Sequence, residues 1–235
     1  MRGLILVLLL SSTLVYAADH VEVRDLSLDV DGIDSLNIVT GSGPMRVTGD
    51  PAADRIVAKA TITVPGATAE EAVERIERRV EFSLQRSGNA ADLTSVTENG
   101  FFGWGNDLSV ELDVIVPLAL AVVIDDGSGD AEISGVGGPL TIDDGSGSIL
   151  VTDAGSDVVI EDGSGGIEVV VAGGDVNVVD GSGSIRIERV AGSVQVDDGS
   201  GSITVSEIAA DFVVVSDGSG GVDYRDVQGR VEIDE

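Results

Sequence analysis

Six aspartates recur at a nearly fixed interval in the second half of the chain, each at the head of an Asp-Gly-Ser-Gly motif. They are Asp126, Asp144, Asp162, Asp180, Asp198 and Asp217. Successive aspartates are 18 residues apart, except for a last interval of 19. If coils of this length stack, the carboxylates form one row with neighbours about 4.8 Å apart. Because Ca²⁺ prefers carboxylate and carbonyl oxygens as ligands, the row is a candidate calcium site.

A second interpretation of the same motif is structural. An aspartate before a tight turn can accept hydrogen bonds from the amides of its own turn, as in an Asx turn. The repeat also resembles the nonapeptide repeat of calcium β-rolls, but there the aspartate follows the glycines, whereas here it precedes them. Calcium binding and an Asx-type corner therefore both remain open from the sequence.

Few residues in this sequence could support catalysis. The chain has one histidine, His20, and no cysteine, so a Ser-His-Asp triad, a histidine zinc site and a thiolate site lack their residues. The remaining enzyme hypothesis is a β-helical polysaccharide lyase or hydrolase that uses clustered carboxylates. Against it, Phe212 and Tyr224 are the only aromatic residues of the repeats that could form a sugar platform. We predict a protein that is not an enzyme and that has no cofactor other than the candidate calcium.

Between the aspartates, β-branched residues alternate with polar ones, which is typical of strands. In the unit that begins at Asp144, Ile149 and Val151 lie in one strand, and Val158 and Ile160 lie in the next. A short fixed period indicates one structural unit stacked on copies of itself. We therefore predict an all-β fold, a small parallel β-helix (β-solenoid) of 18-residue coils with right-handed winding.

The last interval contains one extra residue, which we place between Ile208 and Val213 as a bulge. This placement aligns Val213 and Val215 with the inward-facing valines and isoleucines of the earlier repeats. It predicts that both side chains are buried.

The first 17 residues have the features of a secretory signal peptide. Arg2 supplies a positive start, an apolar run follows from Leu4, and Val15-Tyr16-Ala17 fits cleavage before Ala18. An uncleaved anchor is the alternative, although the apolar run is short for a membrane span. We predict an exported protein, whether periplasmic, cell-surface or extracellular, that is not an integral membrane protein after cleavage.

Residues 18–116 are predicted to form N-terminal strands and a cap, and residues 117–235 the solenoid repeats. A first copy of the repeat lies at 36–47, and an insertion follows at 50–116. Within the insertion, Thr68 and Glu71 match a capping box ahead of a predicted amphipathic helix over 69–79. Strands are predicted over 56–64, 80–86, 92–97 and 108–116. Such a cap would cover the apolar end and the free backbone groups of the first coil.

An aromatic cluster, Phe101, Phe102 and Trp104, lies within the insertion among Gly100, Gly103 and Gly105. A flexible glycine-rich loop of this kind can bind a sugar, a lipid or a protein partner. Alternatively, the rings cover the open end of the core. Both interpretations remain open from the sequence, and the loop is a candidate partner-binding site.

The chain is strongly acidic, with 42 acidic against 13 basic residues and a formal net charge of −29. A charge of this sign disfavours nucleic acid and anionic lipid surfaces as partners. Cations or basic surfaces are better matched, although a charge of this size also serves solubility alone.

With these features, the chain resembles a bacterial family of putative adhesins, a domain of unknown function with β-strand repeats, and is similar to the GIN-type head-domain β-helix proteins. The shared features are the signal peptide, an early strand–Gly-Ser-Gly–strand, a variable insertion, a Val116-Pro117 step, and turns such as Ser146-Gly147-Ser148-Ile149. The resemblance implies a β-helical envelope or surface protein with no established catalytic residues. We therefore expect an adhesin-like binding or scaffold role with a partner and oligomeric state that the sequence leaves open.

Overall fold

The structure, a computed structural model, describes residues 19–97 and 108–234. In the N-terminal part the elements are β1 (His20–Asp29), β2 (Ser35–Thr40), β3 (Met45–Asp50), β4 (Arg55–Val64), α1 (Ala69–Arg79), β5 (Val80–Ser87), β6 (Ala90–Thr97) and β7 (Ser109–Pro117).

The repeats supply the remaining strands. These are β8 (Ala121–Asp126), β9 (Ala131–Ser134), β10 (Leu140–Asp144), β11 (Gly147–Ala154), β12 (Val158–Asp162), β13 (Gly165–Ala172), β14 (Val176–Asp180), β15 (Gly183–Val190), β16 (Val194–Asp198), β17 (Gly201–Ile208), β18 (Phe212–Asp217), β19 (Gly220–Val227) and β20 (Val231–Ile233).

These strands form two ten-stranded sheets that face each other across one narrow core. We call them sheet A, in the order β1-β4-β7-β3-β9-β11-β13-β15-β17-β19, and sheet B, in the order β20-β18-β16-β14-β12-β10-β8-β2-β6-β5. Each coil contributes one strand to each sheet, and neighbouring coils pair in parallel, with Ile149 beside Ile167 in sheet A and Val158 beside Val176 in sheet B. The predicted all-β solenoid is confirmed.

The core follows from the alternation along each strand. In β10 and β12 every second side chain points inward and is buried, and Ile142 and Ile160 are fully buried neighbours. Burying such a side chain contributes roughly 1.5–3 kcal/mol, and neither sheet can bury its apolar face alone. Stacked coils are therefore the arrangement that this pattern favours.

The second glycine of each Asp-Gly-Ser-Gly motif makes the corner tight enough to stack. Gly165 has φ of 151°, and a Cβ placed on it would lie 1.6 Å from the carbonyl oxygen of Gly147 in the preceding coil. Because a side chain at this position would collide with backbone, only glycine keeps the coils at strand spacing.

The extra residue of the last interval is not where the sequence analysis placed it. Phe212 and Val214 are the buried residues of β18, whereas Val215 is 43% exposed. The pairing of β16 with β18 shifts register after Val214, so the bulge lies at Val215 and not between Ile208 and Val213. The run Phe-Val-Val-Val is apolar throughout and carries no alternation, so the burial of the large Phe212 ring decides which face turns inward.

The insertion forms the predicted cap. β2 and β3 belong to the first coil, and β6 and β7 continue the two sheets beyond it. β1, β4 and β5 then pair antiparallel at the end of the stack. The helix α1 has the predicted bounds and the Thr68–Glu71 capping box, and it buries Ala72 and Ile76 in a small second core. The strands of the insertion agree with prediction to within two residues.

Two sequence predictions fall outside the described residues. They are the signal peptide, residues 1–17, and the aromatic loop with Phe101, Phe102 and Trp104. Within residues 19–97 and 108–234, no helix has the length and apolar character needed to cross a membrane. The division of the chain at residues 116 and 117 remains a prediction.

Candidate functional site

The six repeated aspartates lie at the corner where each strand of sheet B ends, on the inward face. The first five are buried and 0–6% exposed: Asp126, Asp144, Asp162, Asp180 and Asp198. Asp217, in the last coil, is half-buried. Parallel pairing places each directly beside the next, as for Asp144 and Asp162. We call this set the buried aspartate row.

In the four interior members of the row, one carboxylate oxygen is held by its own turn. Oδ1 of Asp144 accepts the backbone N–H of Ser146 at 3.2 Å, and Oδ1 of Asp198 accepts that of Ser200 at 2.9 Å. Asp162 and Asp180 accept equivalent bonds. This is the Asx-type corner that the sequence analysis gave as its structural interpretation.

The first member of the row has a different partner. Thr40 occupies the equivalent corner of the first coil, and its hydroxyl donates to Oδ1 of Asp126. A residue of the N-terminal copy of the repeat therefore continues the row by one position.

The second carboxylate oxygen has no partner. Oδ2 of each of the five buried aspartates is inaccessible to solvent and makes no hydrogen bond in the described part of the chain. Removing an ionised oxygen from water without a compensating bond is costly, and the protonated acid is favoured instead. The row is therefore an electrostatic cost to the folded state at neutral pH.

The titration of the row reflects this environment. The pKa of Asp144 is raised to about 6, mainly by burial and then by the nearby charge of Asp126, while the hydrogen bond from Ser146 opposes the rise. Burial also raises the pKa of Asp180 to about 6, with the charges of Asp162 and Asp198 adding to the effect. The pKa values of Asp126, Asp162 and Asp198 are raised from their ordinary value for the same main reason. The row can take up protons at mildly acidic pH.

For the calcium hypothesis, the arrangement of the carboxylates is what matters. Across residues 19–97 and 108–234, no group of three or more His, Cys, Asp or Glu side chains is placed to hold one metal ion. In the row, Oδ1 already accepts a hydrogen bond and Oδ2 points away from solvent. Calcium binding by the six aspartates remains a hypothesis.

A second set of carboxylates, which the sequence analysis did not single out, lies on the outer face of sheet B. It consists of Asp125, Asp143, Glu161 and Asp197, each directly before a member of the buried aspartate row. The first three are exposed and Asp197 is half-buried. The sequence contained a signal for this second set, because two successive acidic residues on a strand must point to opposite faces of the sheet. We call this set the exposed acidic row.

The outer face of sheet A carries the other missed feature, a cluster of ion pairs on β3, β4, β7 and β9. Arg46 contacts Glu132 at 2.9 Å and Asp113 at 3.6 Å, and Lys59 contacts Asp113 at 3.5 Å. Arg46, Lys59 and Asp113 line an open groove together with Asp25. All four groups of the ion pairs are partly exposed, so each pair contributes little to stability.

Comparison with known proteins gives a likeness in fold. No protein-family profile matches the chain, and no curated protein matches it significantly. A putative adhesin from Bacteroides fragilis is similar in structure, with a TM-score of 0.53 and 13% identity over 92% of this chain and 97% of that one. This likeness shows that the two chains share the β-solenoid fold.

Two further solved structures align with lower scores. A putative cell adhesion protein from Clostridium sporogenes aligns at 10% identity and a TM-score of 0.46, covering 91% of this chain and 99% of that one. A putative lipid binding protein from Parabacteroides distasonis aligns at 14% identity and a TM-score of 0.42, covering 92% and 97%.

Proposed function

We propose that this protein is an exported, non-enzymatic, adhesin-like protein of the cell envelope or surface, which binds a partner through the flat outer faces of its solenoid. The observation that carries the proposal is the fold, two continuous sheets with open outer faces, which it shares with the Bacteroides fragilis protein described as a putative adhesin. A stack of identical short coils presents extended repetitive surfaces, and such surfaces are used for binding in other repeat proteins.

The position of the carboxylates supports binding over polysaccharide hydrolysis or cleavage. A glycosidase needs two carboxyl groups that reach the scissile bond from a groove. The buried aspartate row faces the core, and its first five members, Asp126 to Asp198, are at most 6% exposed, so a sugar chain cannot contact them. The only histidine of the chain, His20, lies on β1 at the far end of sheet A.

The exposed acidic row is the surface that we assign to the partner. From Asp125 to Asp197 it spans four coil steps, about 19 Å at strand spacing. Val179 occupies the one intervening position and is 43% exposed, so the row combines charge with an apolar contact. A partner with basic side chains or amines matches this surface, and electrostatic attraction of this kind weakens as salt is added.

Export is tested by fractionating the native host and sequencing the N-terminus of the recovered protein. We expect the chain outside the cytoplasm with Ala18 as its first residue, because Val15-Tyr16-Ala17 fits a signal-peptidase site. A cytoplasmic protein that retains Met1 would exclude the proposal.

Binding is tested by crosslinking the protein to its neighbours in the native envelope. We expect a saturable capture that decreases as the salt concentration rises, and that decreases further in the triple variant Asp143→Asn, Glu161→Gln, Asp197→Asn. The matched control removes three exposed charges elsewhere, on α1, by Glu70→Gln, Glu74→Gln and Glu77→Gln. The control should capture its neighbours as the unmodified protein does.

If both triple variants capture neighbours equally, the exposed acidic row is not the contact surface. If no saturable partner is captured at all, the protein is a structural scaffold and not an adhesin.

A further inference from the structure

The two ends of the solenoid differ in the elements that lie over the outermost coil. At the N-terminal end, β1 and β4 extend sheet A, and α1 covers their inward face by burying Ala72 and Ile76 against β4. At the other end, the last coil consists of β19 and β20, which are the edge strands of sheets A and B. In the described residues no helix or loop lies over this coil, so its outer edge offers free backbone donors and acceptors.

The inward side chains of the last coil are more exposed than those of the interior coils. Tyr224 occupies the inward column that contains Val205, but Tyr224 is 50% exposed while Val205 is fully buried. Val222, Val231 and Ile233 also pack on the core and are only half-buried. An apolar surface at a free sheet edge fits a partner that continues both the sheet and the core.

Two opposite charges on β19 are the second observation. Asp223 and Arg225 flank Tyr224 on the outer face, and both are exposed. Neither has an ion-pair partner within residues 19–97 and 108–234. The other arginines of the repeats differ, because Arg186, Arg189 and Arg230 each contact a carboxylate. Asp223 and Arg225 are thus an acid and a base without ion-pair partners, two residues apart on β19.

We propose that two copies of this chain join end to end through β19, which pairs antiparallel with β19 of the second copy about a two-fold axis at Tyr224. This register sets Tyr224 against its own equivalent and Asp223 against Arg225 of the second copy, twice. A register centred on Asp223 or on Arg225 would instead oppose like charges, which destabilises a cross-strand pair. Charge therefore selects one register.

The second sheet is compatible with the same axis. The rings of Phe212 and Tyr224 lie 6.0 Å apart between their centroids, and Phe212 pairs with Val231 of β20. The axis therefore passes close to Val231, whose neighbours Arg230 and Glu232 are again opposite in charge. Both sheets and the core run on from one copy into the other.

The proposed contact is small. An eight-residue strand is about 26 Å long, and two facing sheets are about 10 Å apart. This end surface is smaller than the roughly 800 Å² per partner of a standard stable interface. We expect a dimer that dissociates on dilution, with a Kd in the micromolar range or weaker.

Sedimentation equilibrium over about 5 to about 500 µM protein tests the proposal, in the range where such a Kd is measurable. The unmodified protein should change from monomer to dimer. Asp223→Arg opposes two arginines across the axis, and Arg225→Asp opposes two aspartates, so each should weaken dimerisation about ten-fold or more. The double variant Asp223→Arg, Arg225→Asp reverses both charges of the pair and should dimerise like the unmodified protein.

Mixing the two single variants gives a sharper test. Each resists pairing with itself, but one carries two arginines and the other two aspartates, so they should form a mixed dimer. The matched control is Glu168→Arg, an identical charge change at the same outward column of sheet A in an interior coil. It should leave dimerisation unchanged, and melting curves confirm that all the variants fold.

Three results would overturn the proposal. A monomer at every concentration would show that the charges protect the free edge from pairing. Equal dimerisation of the unmodified protein and both single variants would place the contact elsewhere. Oligomers that grow beyond two copies would indicate that β19 pairs with the edge at the N-terminal end of the next copy.

Discussion

The buried aspartate row and the exposed acidic row are adjacent in sequence and opposite in environment. Asp143 and Asp144 are consecutive residues of β10, yet the first is exposed and the second is 2% exposed. The same holds for Glu161 and Asp162 one coil further on. Strand alternation alone separates them.

The contrast between the rows separates two roles for the same chemical group. The carboxylates of the exposed acidic row keep their water shell and are free to attract a partner. Those of the buried aspartate row hold the corner amides of Ser146, Ser164, Ser182 and Ser200, at the expense of an oxygen that is buried without a bond. Four predictions test this difference.

The largest effect is expected when an aspartate replaces each of two neighbouring apolar residues in turn, one facing the core and one facing outward. Val178→Asp introduces a charge at a fully buried position and should reduce the free energy of unfolding by more than about 4 kcal/mol. Val179→Asp, on the outer face and 43% exposed at present, should have little effect. Thermal or urea unfolding of both variants measures the difference. Equal melting temperatures would show that the assignment of the faces is wrong.

The next effect is a pH dependence of stability. The folded-state pKa values of Asp144 and Asp180, about 6, lie above the ordinary value of 3.8. The folded state therefore binds protons more tightly than the unfolded chain, and this stabilisation is complete below pH 3.8 and is lost as the pH rises through 6. Each pKa unit corresponds to about 1.4 kcal/mol, so we expect a higher melting temperature at about pH 5 than at about pH 7.5.

The matched variants assign this dependence to one row. Asp144→Asn together with Asp180→Asn should flatten the change in melting temperature between these two pH values. Asp143→Asn, in the exposed acidic row, should leave it in place. If the unmodified protein gains stability between pH 5 and pH 7.5, the aspartates are ionised in the fold without cost.

A smaller effect is expected from one amide within the row. Asp162→Asn keeps the oxygen that accepts from Ser164, removes one buried charge and supplies an N–H that can reach the free oxygens of Asp144 or Asp180. At pH 7.5 we expect stabilisation by about 1 kcal/mol, the worth of one hydrogen bond. Glu161→Gln should be neutral. Chemical unfolding of both variants provides the measurement, and destabilisation by Asp162→Asn would show that this carboxylate has a favourable partner.

The smallest effect is expected from calcium. Because Oδ1 of each interior aspartate already accepts a bond, we expect a melting temperature that is the same in chelator, in calcium and in matched ionic strength. Calorimetric titration checks the same point. Several bound ions, with a melting temperature raised by calcium alone, would instead establish the aspartates as a calcium ladder.

The sequence predicted most of the fold because its pattern repeats. Ile149 and Val151 alternate with polar neighbours, and the same columns recur in the other coils, so each copy confirms the next. The helix at Ala69–Arg79 was also predictable, from its capping box and apolar spacing. The pattern failed at Phe212–Val215, where four apolar residues in succession fit either face of a strand.

For the candidate site, sequence and structure contributed different parts. The sequence by itself determined the period, the parallel stacking and the row of aspartates at one corner, because glycine and alternation are local constraints. Only the tertiary structure decided that these aspartates face inward with one oxygen bonded and one not, since burial depends on the coils above and below. It also decided that Tyr224, in an inward column, is half-exposed beside the exposed Asp223 and Arg225. The residue type of an aspartate does not show which face of a sheet it occupies. Its surroundings in the fold determine its pKa and its contacts.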